Sequence, residues 1–300
     1  MIEEISRRVA SLSLDGLGEA ARSRMALCLL ANLAVGVAGV RHCVLPPPAR
    51  GAGAYGLLSG GRAADARPAA FWNAAAMHAR TQDDFHPVGN LHIGTVVIPA
   101  LMAVADETEL SGRAFLEALA AGYMVATGLS RSASPRTTPR GVRSTGLYAP
   151  FGATAAVAKA RGYGHDTTAS ALALTTVFAG GTTQAWLDGS DEWQLHPVHA
   201  AETGLRACEL AARGVRGGTH ALDGKAGFFN ALHGEPVTFD EIAADFDPSA
   251  ALEESVIKRY PVSGICRPVC CRRQGQDGRR CRRPRPRESI PCRPDAFHVS

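Results

Sequence analysis

Several common signatures are missing from this 300-residue chain. No Gly-x-Gly-x-x-Gly and no Walker-type loop occurs, so nothing argues for a nucleotide cradle. No run of 18 or more apolar residues occurs, which predicts no transmembrane helix and no membrane partner. The N-terminus, MIEEISRRVASL, is acidic and then basic and lacks the apolar centre of a signal peptide, so the cytoplasm is the expected location. Heptad runs and internal repeats are absent, which argues against a coiled coil or a solenoid. Cys-x-x-Cys knuckles are missing too, so the cysteines offer no zinc-site spacing.

Charge and cysteine are unevenly distributed. The formal net charge is +4, from 32 basic and 28 acidic residues. Residues 267–300 carry ten Arg against Asp277, Glu288 and Asp295, leaving 22 basic and 25 acidic residues in the body. Five of the eight cysteines (Cys266, Cys270, Cys271, Cys281, Cys292) crowd the same end. This tail has three readings: a basic arm for nucleic acid or another acidic surface, a zinc cluster, or a changed reading frame. Arg, Pro, Gly and Cys are what another frame of GC-rich coding sequence yields, and no nucleic-acid partner is expected. A segment with so few apolar residues is expected to be disordered.

The body is rich in apolar residues at helical spacing, which predicts a mainly α fold. Helices are expected at 17–39 (buried, ending at glycine), 67–80, 95–106, 111–129, 151–162, 166–178, 197–214 and 240–245. Ser111 and Asp166 are candidate N-caps. Residues 40–66, with Pro46, Pro47 and Pro48, read as loop, and the one convincing strand is EESVIKRYPV at 253–262. The expected division is a helical domain over 1–252, the start of a second domain at 253–266, and the tail.

One stretch concentrates chemistry. Residues 73–99 read NAAAMHARTQDDFHPVGNLHIGTVVIP, placing His78, His86, His92, Asp83 and Asp84 before an apolar helix. Polar groups that dense beside a buried helix must be hydrogen-bonded or solvated in a cleft. His and carboxylates in a cleft suit proton transfer. A polar loop that merely caps the next helix is the alternative.

With Asn73, His78, Asp83, Asp84, His92, Gly94 and Pro99, this stretch resembles the signature of the MmgE/PrpD family. That family includes 2-methylcitrate dehydratase, cis-aconitate decarboxylase and iminodisuccinate epimerase. Segments 111–129, 140–164, 188–207 and 257–266 resemble further family landmarks, so the likeness runs in order over roughly residues 1–266. It implies a multi-helix domain and a second α+β lid domain that this chain is expected to lack. It also implies homodimerisation, and action on small di- or tricarboxylic acids without metal or organic cofactor.

The implied catalytic residues are His92 and Lys258, and the implied substrate-binding residues are Asp83, Asp84, Arg143 and Tyr148. The sequence departs from the family pattern at Thr81 for an acid, at Arg143 for a His and at Trp193 for a Lys. Arg143 cannot titrate, but a guanidinium forks onto a carboxylate. Otherwise it is a surface charge or a partner of Asp83 or Asp84. Tyr148 either donates to the cleft or is an ordinary core aromatic. His78 and His196 read as helix-end hydrogen-bonders, Asp188 and Asp191 as turn residues, and Trp186 and Trp193 as packing. The expected activity is a lyase of the hydro-lyase type, impaired in this chain. The alternatives are an epimerase or isomerase and a non-catalytic remnant.

Overall fold

The computed structural model describes residues 1–45 and 53–264. The Pro46–Pro48 run and the Arg- and Cys-rich tail lie outside the described residues. The described chain forms thirteen α-helices and one two-stranded sheet. The first elements are α1 (Ile2–Ser11), α2 (Glu19–Gly39), the antiparallel pair β1 (Tyr55–Gly56) and β2 (Arg62–Ala63), and α3 (Ala66–His78). Then come α4 (Gly94–Glu107), α5 (Gly112–Ser130), α6 (Ser134–Thr137), α7 (Ser144–Ala160) and α8 (His165–Thr175). The series closes with α9 (Gln184–Asp188), α10 (Leu195–Ala212), α11 (Phe228–His233), α12 (Phe239–Ile242) and α13 (Pro248–Glu253).

Helix α7 is the centre. Every residue from Ser144 to Ala158 is buried, and α4, α5, α8 and α10 pack around it. Small residues make this possible. A Cβ on Gly152 would lie 2.6 Å from the Gly122 carbonyl of α5, and one on Gly204 of α10 would lie 2.5 Å from the Ala153 side chain. The second core cluster is accordingly alanine-rich, with Ala70, Ala74, Ala100, Ala149, Ala153 and Ala201 fully buried. Backbones that approach this closely compensate with contact number for what short side chains lack in area.

Most predicted helices form, with differences at their ends and faces. Ser111 caps α5 by accepting from Ala114 N. At α8 the N-cap is Gly164, and Asp166 lies in the first turn, where its charge favours the helix dipole. α7 starts at Ser144, seven residues before the predicted start. Helix α1 is an addition, burying Ile2, Ile5 and Val9 on one face.

Helix α2 is not buried all round. Leu27, Leu30 and Val37 are 50%, 65% and 60% exposed, while Met25, Cys28, Asn32 and Gly36 face inward. Glu19–His42 is long and apolar enough to cross a membrane by length and composition only, a test that a packed core helix also passes. Gly39 is there for close approach, since a Cβ would meet the Ala76 carbonyl at 2.0 Å.

The predicted strand at 253–262 does not form. Asp247 caps α13 by accepting from Ser249 N and Ala250 N, so the chain is helical to Glu253. Beyond it a single antiparallel bridge joins Val256 to Phe85, through Phe85 N–Val256 O at 2.9 Å and Val256 N–Phe85 O at 2.8 Å. The described part of the predicted 40–66 loop instead contains the β1–β2 pair. Asn73 ties that hairpin to α3, donating to Gly56 O at 2.9 Å and accepting from Leu58 N at 2.8 Å.

Gly152→Val is expected to destabilise the protein by about 1–3 kcal/mol through overpacking at the α5–α7 contact. Gly112→Ala, at an open helix start, should be neutral or stabilise by roughly 0.4–1 kcal/mol. Urea denaturation of both variants measures the contrast, and equal midpoints would contradict it.

Candidate active site

The residues between α3 and α4 fold back on themselves. Thr81 and Asn90 take left-handed φ values of 49° and 52°, and His86 and Leu91 exchange backbone hydrogen bonds at 2.8 and 3.2 Å. Non-glycine residues in that region carry strain of order 1–3 kcal/mol, which persists only where the surroundings enforce it. Asp83 and Asp84 stand on this turn and point into different networks.

Asp83 is fully buried and receives three donors. Oδ2 accepts from His78 Nδ1 at 2.9 Å and from His92 Nδ1 at 3.0 Å, and Oδ1 accepts from Lys258 Nζ at 3.3 Å. The imidazoles of His78 and His92 meet edge-on with centroids 4.8 Å apart, and Trp193 packs against His78 at 5.3 Å. The Phe85–Val256 bridge delivers Lys258 to this carboxylate. Glu254, next to that bridge, is gripped by Arg131 and lies 3.2 Å from His86. Thr145 Oγ1, on the first turn of α7, accepts from His92 N at 3.2 Å.

Charges follow from this geometry. Burial opposes ionisation of Asp83, but His92, Lys258 and His78 outweigh it and hold the carboxyl well below its ordinary value. Burial pushes His92 well below, and His78 below, the usual imidazole range, with Asp83 pulling the other way. Burial likewise lowers Lys258 against the pull of Asp83. The consistent state at neutral pH is an Asp83–Lys258 ion pair with two neutral imidazoles, each spending Nδ1–H on Asp83. No described residue bonds His92 Nε2, so its lone pair is free to take a proton.

Asp84 belongs to the scaffold. Oδ1 accepts from Asn32 Nδ2 at 3.1 Å and Gly94 N at 3.0 Å, and Oδ2 is 2.5 Å from the Tyr123 hydroxyl. Gly94 admits no side chain, because a Cβ would lie 2.3 Å from Asn32 Nδ2 and 2.6 Å from Asp84 Oδ1. Burial pushes the Asp84 carboxyl up to about 6, with Asp83 adding to the rise.

Arg143 is the N-cap residue of α7 and only 7% exposed. Its guanidinium stacks over the Trp186 ring at 4.5 Å, and no described carboxylate pairs with it. Burial lowers it to about 10, so it stays cationic at neutral pH, and Asp83 is near enough to oppose that shift. Neither a surface location nor an ion pair with Asp83 or Asp84 describes it.

Tyr148 is placed elsewhere. Its hydroxyl lies 3.1 Å from Thr137 Oγ1 and 3.4 Å from His233 Nε2, and its ring packs on Phe228. The structure therefore brings together His92, Lys258, Asp83 and, at the rim, Arg143, while Asp84 supports from behind. His78 is the member that sequence reasoning set aside. Its signal was the five-residue spacing to Asp83, which lets a helix-end ring reach back to a carboxylate on the following turn.

His78, Asp83 and His92 are also a set whose ligand atoms approach within 4.8 Å of one another. Lys258 already supplies the positive charge, and both rings already donate to the carboxylate. A metal ion would have to displace the ammonium and reverse both tautomers, so these donors fit a proton relay better than a metal centre.

The family model for the MmgE/PrpD N-terminal domain matches residues 3–240. A curated relative, the cis-aconitate decarboxylase-like protein oryM of Aspergillus oryzae (strain ATCC 42149 / RIB 40), is 31% identical over 169 residues. That match covers 54% of this chain and 35% of the relative, so the chain spans about a third of the length of the relative it matches.

Removing one partner of a buried ion pair costs about 3–5 kcal/mol, because the other charge is left uncompensated. Asp83→Asn is expected to show a loss of that size in urea denaturation. Adding Lys258→Met should recover a large part of it, and a double variant no more stable than the single one would contradict the pairing.

Asp84 makes a separate pH prediction. Its folded carboxyl titrates near 6 against an ordinary 3.8, so the fold holds this proton more tightly than the unfolded chain does. The associated stability is fully present below about pH 4 and is lost as pH rises through 6. Asp84→Asn keeps the acceptor for Asn32 and Gly94 and offers an amide to Tyr123. Relative to that variant, the parent should lose on the order of 3 kcal/mol between about pH 4 and 7, at 1.36 kcal/mol per unit. Parallel stability–pH curves would refute it.

Proposed function

The chain belongs to the MmgE/PrpD family, and from that premise we propose that it is a lyase of the hydro-lyase type acting on a small di- or tricarboxylic acid. The observation that carries this reading is the neutral His92 ring, held by Asp83 at 3.0 Å through Nδ1 with Nε2 unengaged. A carboxylate behind an imidazole fixes its tautomer and stabilises the imidazolium that forms on proton uptake, as in other base–orienter pairs.

In this scheme His92 Nε2 takes the proton from the carbon next to a substrate carboxylate. The electron pair of that C–H bond moves into the carboxylate as an enolate-like dianion. Lys258 and Arg143 supply positive charge in a water-poor environment, where it is worth far more than in solvent. Collapse of the dianion breaks the C–O bond at the adjacent carbon, and the hydroxyl departs as water with a proton returned by the imidazolium. No cofactor is needed for these steps. We also propose slow turnover of the family's usual acids, since Thr81, Arg143 and Trp193 stand where relatives carry an acid, a His and a Lys. The exposed Leu27–Leu30–Val37 stripe of α2 supports a homodimeric assembly.

One observation favours an epimerase as the second reading. Arg143 stands where relatives carry a His that can give up a proton, and with His92 left as the one imidazole to protonate a leaving hydroxyl, reprotonation of the same carbon is the simpler outcome. Incubation with candidate hydroxy and unsaturated acids in heavy water separates the cases. Deuterium incorporation with net loss of water indicates a lyase, and incorporation with inversion indicates an epimerase. The absence of any exchange would reject both and leave a non-catalytic domain. His92→Ala, with its fold verified by circular dichroism, should reduce whichever activity is found by about 10²–10⁴-fold. A rate within threefold of the parent would remove His92 from the role.

A further inference from the structure

Three nitrogens near this site are buried without a partner among the described residues: Arg143 Nε, His78 Nε2 and His196 Nδ1. Arg143, His78 and His196 also sit close enough for their charges to oppose one another. Buried polar atoms are almost always satisfied, so a group of orphans in one place marks an occupant that the described residues do not supply. The surroundings say what that occupant is. Arg143 is a permanent cation, and the nearby carboxylate, Asp83, is fully engaged by His78, His92 and Lys258. The complement is an anion with at least two acceptor atoms.

Residues 180 and 181 link the two outer members. Gly181 O accepts from Arg143 N at 3.0 Å, and Gly180 N donates to Gly146 O at 3.0 Å, so this turn holds the start of α7. Gly181 itself, with φ 133°, lies against the His196 ring, where a Cβ would be 2.6 Å from Cδ2 and 2.9 Å from Nε2. A glycine is required there both for the backbone angle and for the contact. Trp186 completes the arrangement, under the Arg143 guanidinium and 6.4 Å from the His196 ring. One turn and one indole thus position an arginine and a histidine that no sequence motif joins.

We infer that Arg143 and His196 together form a carboxylate subsite floored by Trp186, which receives a substrate carboxylate while His92 acts on the adjoining carbon. The inference rests on the carboxylic-acid reading above and adds His196 to it as a binding residue. The guanidinium presents a planar fork suited to both oxygens of a carboxylate, and the imidazole adds an N–H donor. Burial and Arg143 hold His196 down to about 4. His78 on α3 and His199 on its own helix oppose protonation as well, and Glu192 on the preceding turn favours it. The free site therefore keeps this ring neutral, and a bound carboxylate offsets the repulsion from Arg143.

Citrate and succinate serve as probes, titrated calorimetrically into the parent, Arg143→Gln and His196→Leu, each verified by circular dichroism. The expected result is binding to the parent and a loss of about tenfold or more in each variant, as for removal of a charge-assisted hydrogen bond. Weakening in Arg143→Gln with affinity within threefold of the parent in His196→Leu overturns the inference and leaves the role of Arg143 standing. Parent-like affinity in Arg143→Gln, or no binding of either acid to the parent at millimolar concentration, overturns the carboxylate subsite altogether. A second measurement needs no variant. Diethyl pyrocarbonate should modify His196 and phenylglyoxal should modify Arg143, and citrate should protect both together in peptide mapping. Protection of Arg143 without protection of His196 counts against the inference.

Discussion

The buried carboxylate of Asp83 is the constraint on which the site depends. It gathers His78 from the end of α3, His92 from the approach to α4 and Lys258 from a position 175 residues away. A charge this deep is tolerated only when it is paired and fully hydrogen-bonded. That requirement runs outward through the molecule. Lys258 must be held by the Phe85–Val256 bridge, that bridge needs the end of α13, and α13 packs on α2 and α5. The same charge sets the tautomer of His92, so one electrostatic requirement shapes both the fold and the candidate site.

The helical body makes the arrangement rigid by bringing backbones close. Gly122, Gly152 and Gly204 allow α5, α7 and α10 to meet at distances that side chains would prevent. The consequence reaches the site directly, because Thr145 on the first turn of α7 holds the backbone of His92 and Gly94 lets Asp84 approach the start of α4. Asp84, Asn32 and Tyr123 form a polar strut inside the core. The strut explains why α2, otherwise apolar and half-exposed, buries an asparagine. At one corner of the candidate site stands a guanidinium, Arg143, stacked on the Trp186 indole. A group that stays cationic at neutral pH suits holding an anion better than transferring a proton.

Much of this was legible in the residues alone. Apolar spacing located the long helices, because a helix that buries one face must repeat its apolar residues every three to four positions. Ser111 announced the start of α5, and the density of His and Asp between 78 and 92 marked the site. Helix α1 was missed, although Ile2, Ile5 and Val9 stand at helical spacing, because charged residues fill the rest of the segment. The predicted strand at 253–262 failed because β-branched residues describe what a strand tolerates, not whether a partner is present. Among the described residues only Phe85 offers one.

The sequence by itself determined the helical class, the family and the turn that carries Asp83, Asp84 and His92, since these depend on local periodicity and on neighbours within a few residues. Tertiary structure alone decided how the neighbouring acids divide. Asp83 faces the imidazoles, and Asp84 faces Asn32 and Tyr123, because successive side chains on a turn point apart and each follows whichever donors the packing brings. It likewise sent the Tyr148 hydroxyl to Thr137 and His233, left Arg143 without a carboxylate among the described residues and placed His196 across the same Trp186 ring. Periodicity records that a face is buried but not against what, and the chemistry of a buried group is set by the partner it meets.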